Sequence, residues 1–597
     1  MSPAPTDIAS DPKDHDSQER ERREWALSGP ARGPAWRDRR RQRAVVPHLP
    51  AGRPEQHPAP TRLTGVTTPV TTPPSTWAPL RIRVYRALWI AQLVSNLGTW
   101  MQTVGAQWIL VDQPNAAALV AFVQTATTLP VMLLSIPSGV IADLVDRRRL
   151  LLGAQTTMAV LAATLAVSTA TGHTTPPVLL TLLFLLGCGQ ALTGPAWQAI
   201  QPELVPREQI PSAAALGSMS MNIGRAVGPA IAGVLVSLSG PTLVFTLNAL
   251  SFGAIVAALI AWRRPSKERS LPSERPLAAL QAGTRFIRAA PAIRRVLLRS
   301  ILFIAPASAL WALLPVVAAD GLGLGSSGYG LMLGALGVGA VFGALALARV
   351  RAALTPTRQL AIAAVLFGAA TVGTALLSTL VPVLLLLVCA GFAWLLALST
   401  MNATMQLLLP GWVRARGLSV YMLVFMGGQA IGSLVWGLVA GASSVITALL
   451  TAAVLLGCCA VSTLWWPIRH DADALDLTPS AFWPEPQLVE EPDPADGPVM
   501  VLRRYDVPPE DVPEFLAAMV YVGRSRQRTG AMEWRLYRDV GVVDRYVEAF
   551  VVRSWSEHMQ QHQVRLTAQD QLRESAVARY SADDPGTVTH LVAVTPR

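Results

Sequence analysis

The chain has 597 residues, of which 51% are hydrophobic and only 15% charged, and its formal net charge is +11. About a quarter of the residues of a soluble domain are charged, so this composition excludes a purely soluble protein and predicts a membrane environment. The positive charge is compatible with nucleic-acid binding, and the placement of the arginines decides that question below.

Residues 1–80 are rich in Pro, Arg, Asp and Glu and have no apolar periodicity. Such a composition buries too little apolar surface to offset the loss of chain entropy. We therefore predict a disordered cytoplasmic N-terminal tail over residues 1–80, and we expect no secretory signal peptide because no short apolar core follows the charges.

From Val84 to Trp466 the chain is a series of apolar runs of about 20 residues, the length that crosses a bilayer core. Turns rich in Gly, Pro, Ser, Asp and Asn separate most of them. Twelve membrane spans are predicted, near residues 84–108, 117–141, 149–170, 177–198, 212–238, 241–262, 296–319, 328–348, 359–379, 381–403, 414–439 and 442–466.

Arginines occupy alternate loops between these spans, and the remaining loops contain no Lys or Arg. The basic loops contain Arg81 to Arg86, Arg147 to Arg149, Arg207, Arg263 to Arg299, Arg349 to Arg358, and Arg414 with Arg416. By the positive-inside rule both termini are cytoplasmic, in a plasma (inner) membrane. The excess of basic residues is thus explained by the orientation of the chain in the membrane, and a nucleic-acid partner is not expected.

An internal repeat predicts two six-helix halves. Residues of one type recur at an offset of 204 across a loop and a span of each half: Gly139 and Gly343, Arg147 and Arg351, Pro206 and Pro410, Gly224 and Gly428, Gly228 and Gly432, Gly233 and Gly437. The halves are predicted over residues 81–262 and 296–468, joined by a cytoplasmic central loop, 263–295.

A Pro- and acid-rich linker, residues 469–497, precedes a predicted cytoplasmic domain over residues 498–597. Its pattern is strand 499–505, helix 509–528, strands 533–538 and 545–553, long helix 556–580 and strand 588–595. This β-α-β-β-α-β order is the ferredoxin-like α+β arrangement.

The loop after the second span contains Gly139, Asp143, Arg147 and Arg148 in the pattern Gly-x-x-x-Asp followed by arginines. It resembles the loop motif of the major facilitator superfamily, which implies that Asp143 pairs with the loop arginines and latches two helices in one access state. The alternative is a basic cluster that only sets topology. The second-half loop has Leu347 in place of the acid.

The fifth span contains Gly224-Arg225-Ala-Val-Gly228-Pro229, which resembles the antiporter motif of the same superfamily and implies export. Ordinary packing of small residues is the alternative for Gly228 and Pro229. Arg225 is the one cation well inside a span, where charge is costly. It is expected to face the bundle interior, for substrate binding, for coupling, or as a tie to backbone carbonyls.

The first span has polar residues at helical spacing. Spans 1, 4, 7 and 10 line the central cavity in the superfamily, so the resemblance implies a substrate cavity lined by Gln92, Asn96, Thr99 and Thr103, by Gln190 and Trp197, and by Trp394 and Asn402. Hydrogen bonding between helices is the alternative for each of these residues.

The segment from Pro195 to Arg225 resembles the branch that contains enterobactin exporters and transmembrane secretion effectors. The implied fold class is an all-α membrane protein with the twelve-helix major facilitator fold and a small ferredoxin-like domain. The implied function is proton-coupled efflux of a small molecule such as a siderophore or an antibiotic. The coupling ion is a proton or another ion, and no catalytic residue, cofactor or metal is expected.

Neither of the two lysines, Lys13 and Lys267, lies in a phosphate-binding Gly-x-x-x-x-Gly-Lys-Ser/Thr loop, which excludes an ATP-driven pump with that motif. A transporter-like scaffold or sensor, and a transporter fused to a monooxygenase-like enzyme, are also compatible with the sequence. The enzyme hypothesis draws on His558 and His562, four residues apart on a predicted helix. Solvated histidines are commoner, and dimerisation or regulation is the favoured role of the domain.

Overall fold

The computed structural model describes residues 77–262, 284–468, 476–582 and 588–594, except Pro484 and Gln487. The chain divides into two units, and only the second, Thr71–Arg597, contains described residues. The predicted tail therefore lies almost wholly outside the described residues, as does most of the central loop. Within the helical segments, the structure describes the backbone but not the side chains of Ile136, Val140, Asp143, Leu144, Pro202, Arg207 and Ala415.

Among the described residues between Arg83 and Ser462 lie twelve long helices: α1 (Arg83–Ile109), α2 (Ala116–Leu144), α3 (Arg147–Ala170), α4 (Pro176–Leu204), α5 (Ile210–Ser239), α6 (Pro241–Ala261), α7 (Pro291–Val316), α8 (Ser326–Ala353), α9 (Pro356–Leu376), α10 (Leu380–Leu408), α11 (Arg414–Ala442) and α12 (Val445–Ser462). Several begin with proline, which suits the first turn because its missing N–H has no helical partner there. Each predicted span corresponds to one helix, although α7 begins before the predicted residue 296.

Eleven of the described helices, α2 to α12, are long and apolar enough to cross a membrane. The polar residues of α1 make it less apolar than the others. It nevertheless packs between α5 and α6 within the same bundle, as the twelfth helix of the predicted fold.

The two halves repeat in their helix positions. Pro176 and Leu380 begin α4 and α10, Ile210 and Arg414 begin α5 and α11, and Pro241 and Val445 begin α6 and α12. Each pair differs by 204, the offset seen in the sequence. Across the halves, α2 packs against α11 and α5 against α8, so equivalent helix pairs form the interface between the halves.

The described part of the C-terminal domain contains four antiparallel strands in the order β2-β3-β1-β4, with β1 at Val499–Asp506, β2 at Glu533–Arg538, β3 at Arg545–Val552 and β4 at Thr589–Val592. Val501 lies opposite both Phe550 of β3 and His590 of β4. This topology is the predicted ferredoxin-like arrangement.

The long helix predicted over residues 556–580 is interrupted, and that prediction was wrong. Helix α14 (Trp555–Gln560) continues into a π-helical turn, Gln561–Arg565, and α15 (Ala568–Ala578) starts anew. Thr567 caps α15 through a capping box with Asp570. A cap of this kind satisfies the first N–H groups of a new helix and so favours a break at Thr567.

Part of the predicted linker belongs to the C-terminal domain. The N–H of Ser480 donates to the carbonyl of Leu566 (2.9 Å), and Nε1 of Trp483 donates to Glu574 (3.1 Å). Trp483 packs near Val499 and Phe550 of the sheet and Trp555 of α14. Helix α13 (Val512–Thr529) of the same domain covers the other end of the sheet through Phe515 and Met519.

The C-terminal domain contacts the membrane helices at the second half. Nη2 of Arg285, in a short helical segment at residues 284–289, lies 2.5 Å from Oε1 of Glu557. Glu557 also pairs with Arg565 (3.0 Å), whose guanidinium lies over Trp412 in the loop before α11. Phe286 meets Trp412 edge to face. Ion pairing and aromatic packing thus join the domain to this half.

Candidate functional site

The polar face of α1 packs first against α5. Nε2 of Gln92 donates to Oδ1 of Asn96 (3.1 Å), and Nδ2 of Asn96 donates to Oγ of Ser220 (2.9 Å). Asn96 is buried, and a buried amide needs such a partner. The hydrogen bond between helices, the alternative to a cavity wall, is therefore present for Asn96.

The next turns of α1 are tied to α6 and to their own backbone. Nδ2 of Asn248 donates to Oε1 of Gln102 (2.7 Å), and both side chains are buried. Oγ1 of Thr103 donates to the carbonyl of Thr99 (3.0 Å). Thr99 and Thr103 stay half-buried, as does Gln92, so these three residues of the polar face keep some exposed surface.

Arg225 lies on α5 with its guanidinium carbon 5.5 Å from the ring centroid of Trp100 in α1. Its Nε is buried and has no hydrogen-bond acceptor among the described residues. The predicted tie to backbone carbonyls is thus not formed by this nitrogen. A half-buried cation over an aromatic ring, with one buried nitrogen unpaired among the described residues, can accept an anionic partner from outside the chain.

Aromatic rings extend from Trp100 into the second half. The ring of Trp100 lies 6.5 Å from that of Trp311 in α7, and Trp311 lies 5.5 Å from Trp394 in α10. Trp394 is buried among Phe303, Phe367 and Phe425, with centroid distances between 5.9 and 6.2 Å. Arg225 and Trp394 therefore stand at the two ends of one aromatic series that crosses between the halves.

The remaining cavity candidates are less closely grouped. Trp197 is half-buried and lines a small cavity together with Gln92. Gln190 is half-buried on α4, and Asn402 is exposed on α10. The structure thus brings Gln92, Asn96 and Trp197 near one another and links Trp394 to Arg225, whereas Asn402 joins neither group.

The loop arginines are held by the ends of neighbouring helices. Arg147 pairs with Glu203 and donates to the carbonyl of Ala199, both at 3.1 Å. Arg148 donates to the carbonyls of Leu259 and Ile260 at the end of α6. The side chain of Asp143 lies outside the described residues, so the predicted latch stays a prediction. Sequence reasoning missed Glu203 as the partner of Arg147.

The equivalent arginine of the second half makes an equivalent contact. Nη2 of Arg351 donates to the carbonyl of Ser399 in α10 (3.0 Å), as Arg147 does to Ala199 in α4. A Cβ built on Gly139 would meet no atom within 4 Å. The described structure gives Gly139 no close packing partner, and its role also stays a prediction.

The small residues of α5 let two helices approach it. A Cβ on Gly228 would lie 2.8 Å from Cβ of Trp100, and one on Gly233 would lie 2.7 Å from the carbonyl oxygen of Ser326 in α8. Pro229 is buried inside the helix, and its carbonyl faces Gly330. Close packing, the alternative to an export motif, therefore accounts for these glycines.

The halves also meet at the helix ends whose loops lack Lys and Arg. The hydroxyl of Tyr329 in α8 hydrogen-bonds Gln107 of α1, and its ring stacks on Trp108. Nearby, Oγ of Ser326 donates to the carbonyl of Gly233 (3.2 Å). These contacts hold α8 against α1 and α5 at that end of the bundle.

The C-terminal domain contains a cavity of about 590 Å³, lined among others by Trp483, Arg526, Phe550, His558, His562 and His590. Arg526 is buried, pairs with Glu548 (2.9 Å) and Glu574 (2.6 Å), and lies over the ring of Trp483. Two carboxylates and an indole thus surround one buried guanidinium at the wall of this cavity.

Three histidines meet at the same cavity. Nε2 of His562 lies 3.2 Å from Nε2 of His558, and the ring of His590 is tilted against that of His558 with 4.9 Å between ring centroids. Burial, with help from His562 and then His590, lowers the pKa of His558 to about 3. Burial also lowers the pKa of His590, against a backbone hydrogen bond at Val588. His558 and His590 are thus uncharged near neutral pH, and no motif in the sequence pointed to His590.

The family model described as transmembrane secretion effector matches residues 74–597. The chain belongs to the transmembrane secretion effector family. This family is a branch of the major facilitator superfamily, as the loop and span motifs predicted, and the match extends through the C-terminal domain. The chain is thus a multi-pass membrane protein.

Among curated proteins, the chain is 27% identical over 224 residues to the staphyloferrin A transporter of Staphylococcus aureus, covering 37% of the chain and 56% of that protein. It is 23% identical over 240 residues to macrolide efflux protein A of Streptococcus pyogenes, covering 40% and 59%. The multidrug efflux pump Tap of Mycobacterium tuberculosis is 24% identical over 206 residues, covering 33% and 49%. The chain thus spans about half the length of these relatives.

Among solved structures, the nucleoside transporter NupG matches with a TM-score of 0.52 at 14% identity, covering 64% of this chain and 99% of NupG. A bacterial homologue of the lysosomal transporter Spinster, inward-facing and unoccupied, matches with a TM-score of 0.52 at 15% identity, covering 64% and 96%. At these identities the likeness shows the fold alone, which is that of major facilitator transporters.

Proposed function

We propose that this protein is a secondary exporter that carries a small molecule with at least one anionic group from the cytoplasm to the outside. The observation that carries the proposal is Arg225, a half-buried cation between the halves whose buried Nε has no acceptor among the described residues. A carboxylate of the substrate would supply the missing partner in a charge-assisted hydrogen bond. The names of the relatives, a siderophore transporter and efflux proteins, support an exported metabolite or drug.

The direction of transport is proposed from the charged loops. With the arginine-rich loops in the cytoplasm, the contacts of Tyr329 with Gln107 and of Ser326 with Gly233 close the external side. A bundle closed at the external side would exchange substrate with the cytoplasm, where an exporter loads.

Coupling to protons is proposed on the carboxylates available. Within helices α1 to α12 the carboxylates are Asp143 and Glu203, both at the arginine-rich end of the bundle. Glu203 pairs with Arg147, and its protonation would release that arginine. Proton uptake by Glu203 would thus break its pair with Arg147 and loosen this end of the first half, which supports transport driven by the proton gradient.

The test is accumulation of anionic siderophores, carboxylate antibiotics and neutral or cationic dyes in efflux-deficient cells. Cells that express the wild-type chain should accumulate less of an anionic compound than empty-vector cells, and a protonophore should remove the difference. Arg225→Gln should raise accumulation to the empty-vector level, and Arg225→Lys should lie between. Arg358→Gln, an exposed arginine at the start of α9, is the matched control and should export normally.

Membrane levels of each variant are compared by immunoblot. Export of the same compounds by Arg225→Gln at equal protein level would contradict the anion-binding role of Arg225. Export that persists in the presence of the protonophore would contradict proton coupling while leaving the exporter itself in place.

A further inference from the structure

The C-terminal domain brings together three histidines from two distant parts of its sequence. His558 and His562 lie one turn apart, at the junction of α14 with the π-helical turn, so both rings project from one face. His590 lies on the edge strand β4, opposite Val501 of β1. The antiparallel pairing of β4 with β1 therefore places the third ring beside the first two.

The spacing of their nitrogen atoms matches a metal site. The two Nε2 atoms of His558 and His562 are 3.2 Å apart, and one ring nitrogen of each of the three histidines lies within 4.8 Å of the others. Two nitrogen ligands of a tetrahedral site, each about 2.0–2.1 Å from the ion, are about 3.3 Å apart. The His558–His562 pair thus already has the separation that a bound ion requires.

Buried hydrogen bonds fix which nitrogen of His558 faces the cluster. Oγ1 of Thr529 donates to the carbonyl of Ser525 (2.8 Å) and accepts from Nε2 of Gln561 (3.1 Å). The amide oxygen of Gln561 then faces Nδ1 of His558 at 3.3 Å, and an oxygen acceptor requires N–H at Nδ1. The lone pair of His558 is therefore on Nε2, which points at His562.

The surroundings hold the rings in place without competing for the ion. Trp483 packs edge to face on His562, and Trp555 packs on His558 and His590. His558 and Gln561 are fully buried. In the pair without an ion, His562 donates its Nε2 proton to His558, and a shift of that proton to Nδ1 would free the second lone pair.

We propose that His558, His562 and His590 bind one divalent transition-metal ion, Zn²⁺ or a neighbour such as Co²⁺, with a further coordination position open to the 590 Å³ cavity. Three imidazoles suit these borderline ions and do not suit Mg²⁺ or Ca²⁺, which prefer oxygen ligands. The open position takes water or a small anionic ligand. This inference is independent of the export proposal, because none of its residues lies in the membrane bundle.

The experiment uses the full chain, purified in detergent through an affinity tag without histidines and stripped with a chelator. Co²⁺ is titrated in, and bound metal per chain is measured by mass spectrometry alongside the visible d–d absorption of four-coordinate Co²⁺. Wild type and His173→Gln, which changes an exposed histidine outside the domain, should each bind one ion with that absorption. His562→Gln and His590→Gln should lose stoichiometric binding.

Gln561→Leu provides the second variant, because it keeps all three ligands and removes the group that orients His558. Its affinity for Co²⁺ should fall about 10- to 100-fold. Equal metal content in wild type, His562→Gln and His590→Gln would overturn the proposal. A folded wild-type chain that takes up no Co²⁺, or Co²⁺ without the four-coordinate absorption, would overturn it whatever the variants do.

Discussion

The guanidinium of Arg225 lies over the indole of Trp100, 5.5 Å from its centroid, and Trp100 in turn approaches Trp311 of the other half. The cation of one half is therefore positioned by a ring that contacts both halves. Movement of one half relative to the other would change the surroundings of Arg225 directly.

Replacing Trp100 should weaken export by leaving Arg225 unsupported. A cation–π contact contributes about 0.5–2 kcal/mol, so Trp100→Leu should reduce the initial rate of export of an anionic substrate about 2- to 30-fold. Trp100→Phe should retain part of the activity. Rates are measured in everted vesicles at matched protein level, with the exposed Trp465→Leu as control. Unchanged rates in Trp100→Leu would show that the ring does not position the cation.

Adding a methyl group at Gly233 should destabilise the contact between α5 and α8. Its Cβ would lie 2.7 Å from the carbonyl oxygen of Ser326 and 3.0 Å from Cα of Gly330. Overpacking of this kind costs about 1–3 kcal/mol, so Gly233→Ala should lower the melting temperature of the detergent-purified protein. Gly253→Ala in α6, where a Cβ meets no atom within 4 Å, gives the effect of the methyl group without the clash. Equal melting temperatures would show that the helices separate without cost.

Removing Arg285 should loosen the C-terminal domain from the membrane helices. The Arg285–Glu557 pair is largely buried, and a hydrogen bond to a charged group contributes about 1.5–3 kcal/mol. Arg285→Ala should therefore raise the amide hydrogen-exchange rate around residues 555–565 and Trp412 about tenfold or more. Arg288→Ala, an exposed arginine on the same segment, should leave exchange unchanged. Unchanged exchange in Arg285→Ala would mean that the aromatic contacts alone hold the domain.

Removing Arg526 should destabilise the C-terminal domain strongly. Arg526→Met leaves Glu548 and Glu574 buried without their cation, at a cost of about 3–5 kcal/mol. Local stability is measured by hydrogen exchange in strands β1 and β3 of the full chain. The exposed Arg524→Met is the control and should match wild type.

The same variant should show an altered dependence on pH. In the native domain burial favours a raised pKa for Glu548, but Arg526 and hydrogen bonds from Trp534 and Tyr505 lower it below its ordinary value. Without Arg526, burial raises that pKa, so the folded variant takes up a proton that the unfolded chain binds less tightly. Its deficit in stability should shrink as the pH falls from about 7 to about 5. A deficit that grows with acidity would refute the assignment.

The membrane fold could be predicted because few structures satisfy backbone groups in a bilayer. Apolar runs of helical length, the alternating arginines and the offset of 204 residues determined the helices and the halves. The contacts of individual polar residues could not be predicted in the same way. Asn96 hydrogen-bonds Ser220 of α5 instead of facing a cavity. Which of the two it does depends on how α1 and α5 pack against each other, and the sequence alone does not give that packing.

The C-terminal site was only partly predictable, because its residues are distant in sequence. His558 and His562 share a helical spacing, whereas His590 reaches them only through strand pairing. Two local signals in the sequence do bear on this domain. Thr567 and Asp570 form a capping pattern, and Arg526 follows Phe515, Met519 and Val522 on the buried face of α13. A charged residue at such a core position indicates a buried ion pair.

The contacts of Arg285 and Trp412 with the C-terminal domain lie just before α7 and just before α11, at the start of two helices of the second half. If the halves rock against each other, the domain moves with α7 and α11 as one body. The distance between its histidine cavity and Arg147 of the first half would then lengthen and shorten once per cycle. A donor dye on the domain and an acceptor on the first half would record each such movement as a change in energy transfer.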